Sequence, residues 1–214
     1  AMGGYALSAN TTASNNTAVG YQALYDNTTG VHNVALGKQA AFNISTGQKN
    51  VAIGSENLYT ATTASSNVAV GYNSLFGTTT GSYNVGVGEG SLQANTTSNN
   101  NTAVGYQAGY SNTTGFENTF LGGHAGYNTT TGILNTFIGR RAGHANTTSQ
   151  RNTFVGHYAG DSTTSSSNTF VGQDAGTLIT SGGSNTIIGK YTGNAGGLDI
   201  RTSSNNIVLS DGDG

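Results

Sequence analysis

The chain has 214 residues, of which only 7% are charged and 34% are hydrophobic, and its formal net charge is −2. It contains 34 glycines but no cysteine, which excludes disulfides and thiol chemistry. Its few lysines and arginines are scattered and no apolar segment approaches transmembrane length, so we expect neither a nucleic-acid partner nor membrane insertion.

The dominant feature is an Asn-x-x-x-Gly motif that recurs with a 17-residue period, apart from one step before Asn168 that is shorter by one position. The asparagines are Asn16, Asn33, Asn50, Asn67, Asn84, Asn101, Asn118, Asn135, Asn152, Asn168 and Asn185. The glycines are Gly20, Gly37, Gly54, Gly71, Gly88, Gly105, Gly122, Gly139, Gly156, Gly172 and Gly189. Gly3 belongs to an earlier copy, and a diverged last copy begins at Asn205 or Asn206. A fixed period of this kind indicates a solenoid.

Each unit begins with a β-branched segment such as Asn16-Thr-Ala-Val-Gly20, which predicts a short strand. The glycine ends the strand where the backbone bends or takes a positive φ. The following Thr-Thr-Gly segment predicts a turn or a second short strand. The expected fold is therefore an all-β parallel β-solenoid, a β-roll or β-helix, of about twelve 17-residue coils with two short strands each.

We assign residues 1–204 to this repeat domain. Residues 205–214 are either the last diverged coil or a linker to a further C-terminal domain, and Ala1 before Met2 indicates a cloning remnant on a fragment. Stacked coils place like residues above one another at about 4.8 Å, so twelve coils predict a rod of roughly 55–60 Å. Asparagines can hydrogen-bond along such a stack, whereas stacked like charges repel, which explains the low charge.

Large and small residues exchange places within the repeat. In early copies Ala18, Ala52 and Ala69 precede a leucine six positions later, whereas in late copies a phenylalanine precedes a glycine at the same spacing. The residues of this packing switch are Leu24, Leu58, Leu75, Phe120, Phe137, Phe154 and Phe170. Because close-packed interiors demand such volume compensation, we infer that both positions share one packed space. The copy with Ala103 and Gly109 is small at both, and we expect a neighbouring coil to fill it.

Both faces of the predicted strand are apolar. An aliphatic residue precedes each motif glycine, as at Val19, Leu36 and Ile53, and the residue before it is Ala or Phe in nearly every copy. Adjacent strand residues point to opposite faces, so one face fills the coil and the other requires a second cover. Equivalent apolar stripes on identical chains favour a parallel homotrimer about a three-fold axis.

The units Asn16-Thr-Ala-Val-Gly-Tyr-Gln-Ala-Leu24 and Asn101-Thr-Ala-Val-Gly-Tyr-Gln-Ala-Gly109 resemble repeats of bacteriophage tail-fibre and virion-surface proteins. They are also similar to the head repeats of trimeric autotransporter adhesins, whose left-handed β-roll unit is shorter than the repeat of this chain. The segment 204–214 resembles the linker that precedes a C-terminal intramolecular chaperone domain in tail fibres.

This resemblance implies a trimeric fibre or adhesin segment, on the virion surface as a tail fibre, or on a bacterial cell surface or in the extracellular space. Its implied role is structural support of host attachment, with a host cell-surface glycan or protein receptor as partner. The family has no universal receptor-binding residues, so none is assigned.

Candidate chemistry is sparse. No Ser/His/Asp set and no paired carboxylates recur at an informative spacing, so we expect neither catalysis nor a cofactor. The histidines, His32, His124, His144 and His157, occupy different repeat positions, which favours surface histidines over a metal site. The segment 211–214, Asp-Gly-Asp-Gly, lacks the remaining ligands of a calcium loop and predicts a turn.

Tyrosines are the most informative surface residues. Tyr21, Tyr72 and Tyr106 directly follow a motif glycine and form a candidate ligand surface, because exposed tyrosines can stack on sugars. Tyrosines also pack well at the rim of a solenoid. A glycan-binding or glycan-depolymerising tail spike is therefore an alternative function.

Threonines raise one further alternative, an ice-binding solenoid. A Thr/Ser row recurs at the turn of each copy, and rows of this kind could face ice if they lay on a flat surface. Its residues are Thr28, Ser45, Thr62, Thr79, Thr96, Thr113, Thr130 and Thr147.

Overall fold

A computed structural model describes residues 1–211. Twelve strands form one parallel sheet in the order β1 to β11 followed by β14, and β12 and β13 form a separate antiparallel hairpin. The strands are β1 (Thr17–Val19), β2 (Val34–Leu36), β3 (Val51–Ile53), β4 (Val68–Val70), β5 (Val85–Val87), β6 (Thr102–Val104), β7 (Thr119–Leu121), β8 (Thr136–Ile138), β9 (Thr153–Val155), β10 (Thr169–Val171), β11 (Thr186–Ile188), β12 (Asn194–Ala195), β13 (Leu198–Asp199) and β14 (Ile207–Leu209). The predicted all-β parallel solenoid with its 17-residue repeat is confirmed.

Strand pairing follows the sequence repeat. Ala18 pairs with Ala35 and Val19 with Leu36, one repeat apart, and equivalent residues pair along the sheet as far as β14. The prediction of two strands per coil is wrong, because each coil from β1 to β10 carries a single strand of three residues. The remainder of the coil turns through left-handed residues such as Gln22, Leu24 and His32 (φ 55°, 50° and 61°), which cannot belong to an extended strand.

The motif asparagine both closes its own coil and ties it to the next. The Nδ2 of Asn118 donates to the carbonyl of Gly132, near the end of the same coil, at 2.8 Å. Its Oδ1 accepts the backbone N–H of Asn135 in the next coil at 3.0 Å. The side chain is 1% exposed, so both of these hydrogen bonds lie in the interior. The ladder therefore satisfies backbone groups that the short strands leave unpaired.

Two constraints require glycine at the motif position: the positive backbone φ and the close approach of the next coil. Gly105 has φ 137°, and a Cβ there would lie 2.6 Å from the carbonyl carbon of Gly122 in the next coil. A side chain would thus force the two coils apart. The predicted positive φ at the end of the strand is present along this whole column.

The coil interior is filled by the packing-switch residues. Leu24, Leu58 and Leu75 are fully buried in the early coils, and Phe120 and its equivalents are fully buried in the late ones. At Gly126 a Cβ would collide with the Phe120 ring, so the glycine and the phenylalanine occupy one space.

The coil with Ala103 and Gly109 is filled by its neighbours. A Cβ on Gly109 would lie 2.5 Å from Cδ2 of Phe120 and 3.0 Å from Cδ2 of Leu92. The two rings of the next coils, Phe120 and Phe137, are tilted by 35°, whereas Phe137 and Phe154 stack at 9°. The junction between the leucine and phenylalanine halves is therefore packed from both sides.

The C-terminal coil departs from the repeat. Ile187 in β11 pairs with Val208 in β14, and the hairpin β12–β13 accommodates the longer chain between them. Tyr191 and Ile200 are 3% and 2% exposed and pack into the core here. The Tyr191 hydroxyl donates to the carbonyl of Leu198 at 2.7 Å, and burial raises the pKa of this tyrosine. Residues 207–209 thus extend the sheet, while 212–214 of the predicted Asp-Gly turn lie outside the described residues.

Candidate functional site

The largest candidate surface is the outer sheet face, which we define as the first and third residues of β1–β11 and β14. The middle residue of strands β1–β11 points into the core, so the first and third point outward. The third residue is aliphatic throughout, and Leu36, Leu121 and Ile188 are 46%, 45% and 49% exposed. The first residue is Thr or Val in β1–β11. A single chain therefore leaves a continuous apolar stripe partly uncovered, a feature that is typical of interaction surfaces.

Tyr21, Tyr72 and Tyr106 all lie at one repeat position, and each is 50% exposed. They are separated by three and two coils, so about 14 Å and 10 Å divide them and their rings cannot form one continuous platform. The ring of Tyr21 forms an edge-to-face pair with Tyr5, and the two centroids are 6.2 Å apart. Tyr106 is different, because its ring lies 5.2 Å from the imidazole of His124.

Other aromatic residues stack on one another beside the turn. Tyr25, Phe42, Tyr59 and Phe76 form a ladder with centroid distances of 5.0, 5.1 and 5.3 Å and interplanar angles of 3°, 9° and 6°. A second ladder joins Tyr110, Tyr127 and His144 at 5.1 and 5.5 Å. The rings in both ladders are partly buried, and their faces cover each other. Their geometry stabilises the coil stack and leaves few ring faces free for a sugar.

A polar cluster crosses the coils of β6–β9, and we call it the Arg–His patch: Tyr106, His124, Arg140, His157 and Tyr158. The guanidinium of Arg140 donates to the Tyr158 hydroxyl at 2.8 Å and lies 3.4 Å from Nε2 of His157. Its Cζ lies 5.4 Å from the centroid of the Tyr158 ring, which is a cation–π distance. The Nε2 of His124 is buried and has no hydrogen-bond partner.

Charges around the patch depress histidine basicity. Burial lowers the pKa of His124, and the positive charges of Arg140 and Arg141 lower it further. The pKa of His144 is also lowered, mainly by burial and then by Arg141, although Asp161 opposes this. Both imidazoles are therefore biased toward the neutral form.

Comparing the histidines at any one repeat position does not reveal the Arg–His patch, because each histidine occupies a different position. His157, His124 and His144 occupy the sixth, seventh and tenth positions of their coils, which lie side by side on one corner of the solenoid. Aligned 17-residue rows of the sequence place them, with Arg140 and Arg141, in three adjacent rows. Arg140 and Arg141 are the closest pair among the scattered basic residues of the sequence.

The Thr/Ser row at the turn has a structural use. The hydroxyl of Thr28 donates to the carbonyl of Ser45 in the next coil at 3.1 Å, and the same bond recurs from Ser45 to Thr130. The adjacent row, one position later, is exposed in each coil: Thr29, Thr46, Thr63, Thr80, Thr97, Thr114, Thr131 and Thr148. The exposed hydroxyls therefore belong to this second row.

Two open depressions lie near the C-terminal hairpin. One is lined by Leu178, Thr180 and the ion pair of Asp199 with Arg201, whose closest atoms are 2.7 Å apart. The hydrogen bonds of Arg201 lower the pKa of the exposed Asp199 to about 2. The other depression lies beside Tyr191, Leu198 and Leu209. In residues 1–211 no three His, Cys, Asp or Glu side chains gather as a metal site.

The fold defines a parallel β-solenoid repeat protein with one short strand per regular coil. No protein-family profile matches the chain, no curated protein sequence matches it, and no solved structure matches it. Within the part of the chain that the structure describes, no helix is long and apolar enough to cross a membrane.

Proposed function

We propose that the chain is the rod segment of a fibre or adhesin on a virion or bacterial surface, assembled as a parallel homotrimer that supports attachment to a host. The observation that carries the proposal is the outer sheet face, where an aliphatic stripe runs along all twelve strands of the sheet. Its side chains are exposed at Leu36, Ile53, Leu121, Val171, Ile188 and Leu209 and partly buried in the other strands. The repeat's likeness to tail-fibre and adhesin repeats supports the surface location. No catalytic step is assigned to the chain.

The stripe suits identical partners better than a single unlike one. Residues such as Val70, Val87 and Val104 recur in register at the third position of each strand, so the stripe is aliphatic along its whole length. A second copy in parallel presents the same spacing of about 4.8 Å, and three copies can bury all three stripes around one axis. Burial of exposed aliphatic area then drives association.

Sedimentation equilibrium or light scattering tests the assembly. We expect a mass of three times 21.6 kDa over a wide range of protein concentration. Electron micrographs should show parallel rods of about 55–60 Å for the repeat region. A stable monomer at high concentration would contradict the proposal, and a stable dimer would contradict the three-fold arrangement.

A second candidate function is ice binding, because the exposed threonine row that begins at Thr29 continues through eight successive coils. Their hydroxyls are spaced by about 4.8 Å along the solenoid. Thermal hysteresis and the shape of growing ice crystals test this. If the row binds ice, replacing Thr80, Thr97 and Thr114 by lysine should abolish the activity. Normal ice growth in the presence of the unaltered protein would contradict ice binding.

A further inference from the structure

Arginine and histidine side chains concentrate in the coils of β7–β9, which hold three of the chain's four arginines and three of its four histidines. Three of the four histidines and two adjacent arginines, Arg140 and Arg141, lie between His124 and His157 inclusive. The interior of the same coils is filled by fully buried phenylalanines, so the core does not need the surface cluster. Stacked like charges cost stability in this architecture. The concentration therefore calls for an explanation outside packing.

The two arginines differ in their partners. Arg141 is neutralised by Asp161, with Nε and Nη2 donating to the two carboxylate oxygens at 3.0 and 3.2 Å. Arg140 forms no ion pair with any carboxylate of residues 1–211. It is instead held by the Tyr158 hydroxyl and lies near His157. The result is an exposed guanidinium that is oriented and has an uncompensated positive charge.

Gly123 leaves a gap beside this guanidinium. The sixth position of successive coils holds Tyr106, Gly123, Arg140 and His157. Gly123 has no left-handed φ, and a Cβ there would have only the Tyr106 carbonyl oxygen nearby, at 4.0 Å. Neither backbone conformation nor packing requires glycine here. Its effect is to leave no side chain at the sixth position between Tyr106 and Arg140, whose backbones are about 10 Å apart, two coil spacings; we call this place the gap.

The residues around the gap match one ligand chemistry. The exposed Arg140 guanidinium can form paired hydrogen bonds with a carboxylate. The half-exposed Tyr106 ring can pack against the apolar face of a sugar. The imidazole of His124 supports the Tyr106 ring from one side, because the two ring centroids lie 5.2 Å apart. Binding to a nucleic acid would instead need many cations along the rod, and the chain has only seven lysines and arginines.

We propose that the gap at Gly123, between Tyr106 and Arg140, binds a carboxylate-bearing sugar residue of a cell-surface polysaccharide. For its biological setting this inference rests on the proposed attachment function. The site itself lies within one chain and needs no second copy. The carboxylate pairs with Arg140, the sugar ring lies over Gly123, and Tyr106 covers one side of it.

Trigalacturonic acid is a suitable probe, and its methyl ester is a matched neutral ligand. Titration calorimetry should detect binding of the acid and at least tenfold weaker binding of the ester. In amide NMR spectra, the acid should shift resonances in the coils of β6–β9. A sulfated oligosaccharide of equal charge separates recognition of a carboxylate from general anion attraction, and equally tight sulfate binding at this site would contradict the carboxylate assignment.

Three variants place the site. Arg140→Met and Gly123→Leu should each weaken binding of trigalacturonic acid at least tenfold, the first by removing the charge and the second by filling the gap. Arg151→Met removes another exposed arginine at a different corner of the coil and should change binding less than twofold. Circular dichroism and the thermal midpoint establish that each variant is folded. Unchanged affinity in folded Arg140→Met, or no binding by the unaltered protein, would overturn the proposal.

The same samples separate this inference from the proposed function. A trimer that does not bind the acid would overturn the sugar site alone. A monomer that binds it would overturn the assembly alone.

Discussion

A Cβ atom placed on Gly143 would lie 2.5 Å from Cε2 and 2.6 Å from Cδ2 of Phe137. The two residues are six positions apart in one coil, and the ring occupies the volume that Leu58 or Leu75 fills from the glycine position in earlier coils. Those leucines have φ of 47° and 53°, a left-handed conformation that costs about 1–2 kcal/mol. The phenylalanine–glycine solution keeps the volume and removes this strain.

Replacing the phenylalanine–glycine pair of one coil by the alanine–leucine pair of the early coils tests whether both positions fill the same volume. We expect Gly143→Leu to lower the free energy of unfolding by about 2–5 kcal/mol through overpacking and strain. Phe137→Ala should lower it by about 3–5 kcal/mol through the cavity it leaves. The loss of unfolding free energy in the double variant should be smaller than the sum of the two single losses by about 1–3 kcal/mol. Urea unfolding measures the stability of all three variants. Phe137→Ala combined with Gly176→Leu is the control, because these residues lie in separate coils and their effects should add.

Removing one rung of the asparagine ladder should cost more than an ordinary polar substitution. In Asn118→Ala the carbonyl of Gly132 and the backbone N–H of Asn135 both lose a buried partner. Each unpaired buried group costs about 1–3 kcal/mol, so we expect a loss of about 2–5 kcal/mol in unfolding free energy. Thr114→Ala, on the exposed turn, is the control and should change it by less than about 0.5 kcal/mol. Equal effects of the two substitutions would contradict a stabilising role for the ladder.

The motif glycines should not tolerate even one methyl group. Gly105→Ala places a Cβ 2.6 Å from the backbone of Gly122 at a φ of 137°, so we expect the coil stack to separate there and the protein to aggregate or unfold. Gly123→Ala, at an open position in the following coil, should leave the thermal midpoint nearly unchanged. Differential scanning calorimetry of both variants provides the comparison. A normal midpoint for Gly105→Ala would show that the coils can shift to accept the methyl group.

Charge on the outer sheet face should prevent assembly without unfolding the chain. Leu121 and Ile138 project outward, so lysine at both positions removes no core contact but buries two charges in each interface. We expect the mass in light scattering to fall from three times 21.6 kDa to 21.6 kDa, with an unchanged far-ultraviolet circular dichroism spectrum. Lysine at Thr114 and Thr131, on the exposed turn, should leave the mass unchanged. An intact trimer with both face lysines would place the interface elsewhere.

Stability should depend on pH through His124 and His144. Their pKa values in the folded chain lie below 6.5, so the unfolded chain binds protons more readily. The free energy of unfolding is then highest above this value and falls as pH decreases through 6.5 toward the folded-state pKa values. Urea unfolding between about pH 5.5 and 7.5 measures the slope. The double variant His124→Gln, His144→Gln should flatten it, and an unchanged slope would contradict the role of these two histidines.

Local patterns in the sequence determined most of the fold. A motif that returns with a constant 17-residue period requires equivalent coils, because identical residues can share one environment only if they stack in register. The positive φ at Gly20 and its equivalents, the direction of Val19, and the exchange of Leu24 for Phe120 all follow from local sterics and volume.

Only the tertiary structure showed which side chains of neighbouring coils contact each other and where the chain turns. The second predicted strand is absent because left-handed residues at Gln22, Leu24 and His32 turn the chain, and no sequence rule assigns that conformation to such side chains. Likewise, the hydrogen bond from Arg140 to Tyr158 and the contact of Tyr106 with His124 appeared only when the coils were stacked. Residues one or two repeats apart meet through the rise of the solenoid, a distance that is set by backbone hydrogen bonds between coils and not by the side chains themselves.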